Sequence, residues 1–216
     1  MRILAIGAHP DDIELGCAGT LIKHRENGDE LFLLILTKGE ASGDPKTREG
    51  ECYASAKLLG TKNLFFIGLR DTRVDEGFET IIEIEKIITQ VSPEIIYTHS
   101  VKDTHQDHRN TGYATLSAAR RCKKILMYES PTTFQEFSPH VFVDIKSQFE
   151  RKKEIMHLFK SQSNKQWWSM GRRAALALEG LASYRGFQAG LEVAEAFEMV
   201  RLVITGDEPI LPSKRS

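Results

Sequence analysis

The segment Leu31–Thr37 runs LFLLILT, six apolar residues in a row, and nothing else in the chain restricts the fold as much. A strand with one face in water alternates apolar and polar residues. An unbroken run of this length belongs to a strand buried on both faces. Covering both faces takes helices, and the flanking sequence supplies them. Apolar runs at Ile3–Ala8, Leu64–Ile67, Ile95–His99 and Ile125–Tyr128 read as further strands. Between them lie segments of helical character: Ile13–Gly28, with Gly28 past its last turn; Thr47, as a cap, to Leu59, stopped by Gly60; Phe78–Val91, closed by Pro93; and Asp107–Cys122. Strands alternating with helices mean βαβ units, and right-handed crossovers make a doubly wound, mostly parallel α/β sheet with helices on both faces. Beyond Tyr128 the pattern predicts a strand at His140–Ile145, helices at Ser147–Phe159 and Met170–Tyr184, and a last strand at Met199–Ile204. No repeat or linker interrupts it, so a single domain is expected over residues 1–205, followed by a tail at 206–216.

Composition removes several function classes. With 29 basic and 30 acidic residues the net charge is −1, without the basic excess that nonspecific nucleic-acid binding needs. No apolar run approaches the ~20 residues of a membrane span, and the run after Met1 is too short for a signal peptide. A cytoplasmic protein is therefore expected. Cys17, Cys52 and Cys122 are odd in number and form no CxxC, which argues against a disulfide framework or a cysteine zinc knuckle. They read as small buried apolar residues.

In open α/β sheets ligands bind beyond the carboxyl ends of the strands, where the strand order reverses. With the order 3-2-1-4-5, strands 1 and 4 are neighbours at that point. His9-Pro10-Asp11-Asp12 leave strand 1; His99, Asp103, His105, Asp107 and His108 end or follow strand 4. Each cluster alone has a structural reading. Pro10, Asp11 and Glu14 resemble a helix start with a capping box, and Asp107 a helix cap. Convergence on one sheet edge favours a metal site. Two imidazoles and a carboxylate are donors that Zn²⁺ takes, leaving a fourth position open in catalytic sites, and His9, Asp12 and His108 form the expected set. The same set suits Fe(II). GxGxxG after strand 1, GxxxxGK[ST] and GxSxG are all absent.

These residues make the chain resemble the PIG-L (LmbE-like) family of zinc-dependent N-acetylglucosaminyl deacetylases. The marks are Ala8-His9-Pro10-Asp11-Asp12 with Glu14, Gly16 and Gly19-Thr20-Leu21; Thr37-Lys38-Gly39-Glu40 with Arg48, Glu51 and Leu59-Gly60; Thr98-His99 with His105-Gln106-Asp107-His108; and Gly186-Phe187-Gln188-Ala189-Gly190 running to Ala194-Glu195-Ala196-Phe197. The resemblance implies a Rossmann-like fold, removal of an N-acetyl group from a small amino-sugar substrate, and a homo-oligomer. Carried over by position, His9, Asp12 and His108 bind zinc and Asp11 is the general base. His105 stabilises the oxyanion or protonates the amine, with Asp107 as its partner. Arg48 binds substrate and Asp71 contacts a sugar hydroxyl. The chain departs from the family in having Gln106 inside the HxDH segment, Asp103 where some members carry a tyrosine, and Val193-Ala194-Glu195 for Tyr-Ala-Glu. The rival reading is a non-catalytic sugar-binding protein of the same fold, against which Asp11 and His105 count. Trp167-Trp168 reads as packing, and His24, His140 and His157 receive no role.

Overall fold

The computed structural model describes residues 1–163 and 170–206. Trp167-Trp168 and residues 207–216 of the expected tail lie outside the described residues. The elements in chain order are β1 (Arg2–Gly7), α1 (Asp12–Glu26), β2 (Glu30–Thr37), α2 (Pro45–Leu59), β3 (Asn63–Leu69), α3 (Phe78–Val91), β4 (Ile95–His99), α4 (Gln106–Ala118), β5 (Lys124–Tyr128), β6 (Val141–Asp144), α5 (Phe149–Met156), α6 (Lys160–Ser163), α7 (Met170–Ala189) and β7 (Ala194–Leu202). They form one sheet in the order β3-β2-β1-β4-β5-β7-β6. The first five strands pair in parallel, and β7 pairs antiparallel with both β5 and β6. The order assumed from sequence for strands 1 to 5 is the one observed.

Successive residues of β1 serve opposite faces. Ile3 and Ala5 join a core with Cys17, Leu21, Leu33, Ile155 and Phe197; Leu4 and Ile6 join one with Leu34, Leu36, Ile84, Ile88 and Ala114. Each Leu or Ile so buried contributes about 1.5–3 kcal/mol, which fits the absence of polar residues in β2 between the exposed Glu30 and Thr37.

Two boundaries differ from expectation for identifiable reasons. Helix α2 is capped by Asp44, not Thr47: Asp44 accepts from the Thr47 amide at 2.8 Å and from its hydroxyl at 2.7 Å, and Pro45 occupies the first turn. The last strand begins at Ala194 rather than Met199 because its buried half carries two acids, Glu195 and Glu198, that disguise the strand pattern.

Glu195 has a structural purpose. Helix α1 breaks at Cys17 (φ −149°, ψ 17°). Gly16 and Gly19 bring it close to its neighbours, since a Cβ on Gly16 would fall 2.2 Å from the Tyr128 ring and one on Gly19 would fall 2.8 Å from Ile145. The Glu195 carboxylate accepts from the Gly19 and Thr20 amides at 2.8 and 2.6 Å. Lys152, 2% exposed, pairs with Glu195 at 2.5 Å and donates to the Leu15 carbonyl at 2.7 Å. Removing one partner of a buried pair strands the other charge, at a cost of about 3–5 kcal/mol. Glu195→Ala should therefore lower the melting temperature by roughly 6–20 °C. A shift below about 2 °C by calorimetry would show that the pair does not brace α1.

Candidate metal centre and active site

Strands β1 and β4 lie side by side, so the loops leaving them share one edge. Asp11 has φ 93°, in the left-handed region that a non-glycine residue rarely enters. Its side chain makes no helix-cap bond, and Glu14 accepts instead from the Ser55 hydroxyl, at 2.5 Å. The capping-box reading of Asp11 and Glu14 is thereby corrected: the left-handed turn redirects the Asp11 carboxylate, which lies 3.3 Å from Arg48 Nη2. Desolvation pushes Asp11 up to about 7, against the pull of Arg48.

Asp12 stands at the centre. Its Oδ2 accepts from the His9 amide at 2.7 Å and lies 3.3 Å from His9 Nδ1; its Oδ1 lies 3.3 Å from His108 Nε2. The outer nitrogens of both rings meet carboxylates. His9 Nε2 is 3.1 Å from both Asp71 Oδ1 and Asp107 Oδ2, and His108 Nδ1 is 3.1 Å from Asp103 Oδ2. This is how proteins orient imidazoles that bind metal through their inner nitrogen. Two donors each about 2.0–2.1 Å from one ion at a tetrahedral angle stand about 3.3–3.4 Å apart, and the two Asp12 contacts match that spacing. The residues fit a metal.

Among the described residues, the trios with ligand atoms all within 4.8 Å of one another are His9–His105–His108, Asp12–His99–His108 and His9–Asp71–Asp107. The expected set of His9, Asp12 and His108 straddles the first two. His99, named in sequence but given no role, is fully buried at the end of β4, with Nε2 3.0 Å from Asp12 Oδ2 and 3.2 Å from the Ala8 amide. Its ring stacks on His108 with centroids 4.1 Å apart. Burial and then the neighbouring His108 hold it down at about 4.

Other expectations need correcting. The Asp107 side chain partners His9 and the Thr72 amide, at 2.7 Å; it is Asp107's backbone amide that donates to His105 Nδ1, at 3.2 Å, because His105 caps α4. Asp71 faces His9 and accepts from the Ala41 amide at 2.9 Å. Asp103, placed by the sequence in the cluster after strand 4 but given no role, also accepts from Ser130, Thr132 and the His105 amide. Its place five residues before His108, one α-helical turn and a cap away, was the available signal.

The histidines and aspartates gathered at this edge all fall within the segment, residues 4–119, that matches the family model described as PIG-L: GlcNAc-PI de-N-acetylase. The chain belongs to the PIG-L family. Within it, an uncharacterized deacetylase, YaiS, of Escherichia coli K12 is 36% identical over 68% of this chain and 83% of its own. Diacetylchitobiose deacetylase of Thermococcus kodakarensis is 26% identical over 92% of this chain and 83% of its own. The PIG-L fold of this chain also matches the crystal structure of 4-carboxy-2-hydroxymuconate hydratase from Pseudomonas putida KT2440, with a TM-score of 0.80 and 20% identity over 96% and 99% of the two chains.

The protonation of this cluster sets how it takes a metal. Burial would lower both imidazoles, but Asp107, Asp12 and Asp71 hold His9 well above its ordinary value, and Asp12 with Asp103 raises His108 to about 9. Without a metal these carboxylates favour the protonated form of both rings, and ligation would require them neutral. A metal ion held by these rings would displace those protons, so its affinity should climb by about tenfold per pH unit for each proton released between pH 6 and 8. Chelator competition across that range measures the slope; a flat profile would show that binding releases no imidazole proton and would contradict the raised pKa of His9 and His108.

Proposed function

We propose that this chain is a metal-dependent N-deacetylase that hydrolyses the linear acetamide of an N-acetylglucosamine-type amino sugar or glycoconjugate and releases acetate. One observation carries the reading: Asp11 makes no helix-cap bond and is held, left-handed, beside an Asp12 that faces two carboxylate-backed imidazoles. Its kinship with deacetylases of amino-sugar substrates supports the same reaction.

In this reading His9, Asp12 and His108 hold Zn²⁺, with Fe²⁺ suited to the same donors. Bound Zn²⁺ would polarise the acetyl carbonyl and lower the pKa of water towards ~7. Asp11 accepts the proton of the attacking water. His105 receives a hydrogen bond at Nδ1, so its neutral ring carries the proton on Nε2. Burial is the largest effect pushing its pKa down, which favours a neutral ring that donates to the developing oxyanion without charge. The C–N bond breaks, and the proton taken by Asp11 balances the one the departing amine requires. Asp107 and Asp103 orient His9 and His108. Asp71, with one oxygen against His9 and the other on the Ala41 amide, acts as a third orienting carboxylate rather than as a sugar contact.

No helix among the described residues is long and apolar enough to cross a membrane. A cytoplasmic setting and a homo-oligomer complete the proposal, on the sequence and the family resemblance.

Asp11 decides between the enzyme and a binding protein. Asn would cap a helix about as well as Asp but cannot take a proton, so Asp11→Asn should lower kcat for acetate release by roughly 10²–10⁴ with zinc content unchanged. The assay is acetate release from a panel of N-acetylated amino sugars, with metal quantified in the same sample. Near-normal turnover with zinc bound would move the base role to His105; no acetate release by the wild type from any such sugar would favour the sugar-binding reading.

A further inference from the structure

The segment between β5 and β6 and the part of α7 from Ala177 onward enclose an open cleft of about 1120 Å³. That exceeds the roughly 300–1,000 Å³ of a site for one small molecule. Arg185, 9% exposed, lines it beside the buried Glu129. Nε and Nη2 of Arg185 donate to the two Glu129 carboxylate oxygens at 2.6 and 2.7 Å, and Nη1 donates to Gln188 Oε1 at 2.7 Å. Those three bonds leave two of the guanidinium's five N–H donors without an acceptor among the described residues. Its carbon lies 5.4 Å from the Phe137 ring centroid and 5.2 Å from that of Tyr184.

The lining selects the chemistry of a ligand. Glu129 and Arg185 are the only charged residues on it, and they neutralise each other. A charged ligand would find no free opposite charge there; an uncharged one loses nothing. Phe134 and Tyr184 are about half exposed and offer ring faces for apolar contact. Gln135, Gln188 and Ser138 can each donate and accept hydrogen bonds. Ring faces beside neutral donors and acceptors suit a sugar, whose C–H faces are apolar and whose rim is hydroxyl.

Gly180 supports the same reading. It sits in the interior of α7, where glycine is among the least favourable residues. A Cβ there would meet nothing within 4 Å, so packing does not call for the glycine, and its absent side chain widens the cleft that it lines. The cleft also adjoins the metal centre. Ser130, on its wall, donates to Asp103 Oδ2 at 2.5 Å, and that same oxygen lies 3.1 Å from His108 Nδ1.

We propose that this cleft binds an uncharged oligosaccharide, the portion of a glycoconjugate that lies beyond the sugar to be deacetylated. This rests on the proposed deacetylase function and narrows its substrate from a free amino sugar to a longer glycan. A contact far from the reacting acetamide, made equally in ground and transition states, acts on KM.

The test uses Gly180→Leu, which fills the cleft with a good helix former, and Tyr184→Ala, which removes a ring face; the second decides if the first does not fold. Acetate release is measured from N-acetylglucosamine and from triacetylchitotriose. The wild type should favour the trisaccharide in kcat/KM by about tenfold or more, and each variant should erase that preference through KM while leaving N-acetylglucosamine within about twofold. Calorimetry in the Asp11→Asn background, where turnover is suppressed, should show each variant weakening trisaccharide binding by about tenfold. Trisaccharide binding that is absent, or unchanged by both variants, would overturn the inference. So would a change in subunit number in Gly180→Leu by light scattering, which would assign the cleft to a second copy of the chain. The two readings fail separately. Acetate release with cleft-independent binding removes the glycan site alone; no acetate release from either sugar, with binding that still depends on Gly180 or Tyr184, removes the deacetylase reading and keeps the cleft as a sugar site.

Discussion

The site is organised around the Asp12 carboxylate. It begins α1, accepts the His9 amide, and presents its two oxygens to His9, His99 and His108, which come from a loop, a strand end and the first turn of α4. Three imidazoles and four carboxylates (Asp12, Asp71, Asp103 and Asp107) crowd together where they are almost wholly removed from water. A protein pays for that in desolvation unless the groups are paired or hold a cation. The carboxylates behind the outer nitrogens of His9 and His108, and the Arg48 hydrogen bonds to the Pro10 carbonyl and Asp11, hold the groups around Asp12.

The frame of this arrangement was readable in the sequence. The six-residue apolar run predicted a strand buried on both faces, the alternation with helices predicted a doubly wound parallel sheet, and the order β3-β2-β1-β4-β5 assumed for it, in which β1 and β4 meet, is the one observed. That adjacency brought His9 and Asp12 to His108 across about a hundred residues of chain. The antiparallel addition was harder to place. Glu195 and Glu198 look like surface acids, and only the fold reveals that one mends a broken helix while the other receives Lys102.

Partner assignments were less legible because they depend on where side chains turn. Asp107 lies two residues from His105 in sequence, yet its carboxylate reaches His9, ninety-eight residues away. Asp103 reads as an absent tyrosine until its bond to His108 is seen. Asp11 followed by Glu14 fits a capping pattern, and nothing local announces the positive φ that withdraws Asp11 from it. The same fold also carries a hydratase. Reaction type therefore lives in the atoms beside the metal ligands and not in the sheet that brings them together.

The central claim is that His9, Asp12 and His108 form one metal site with His99 standing behind it. Metal analysis of three proteins after zinc loading and dialysis addresses it directly: wild type, His108→Ala and His99→Ala, each checked for folding by circular dichroism. The account predicts one zinc per chain in the wild type, none in His108→Ala, and close to one in His99→Ala. A folded His108→Ala protein that keeps stoichiometric zinc, or a His99→Ala protein that loses it, would contradict the assignment and place the metal on a different trio.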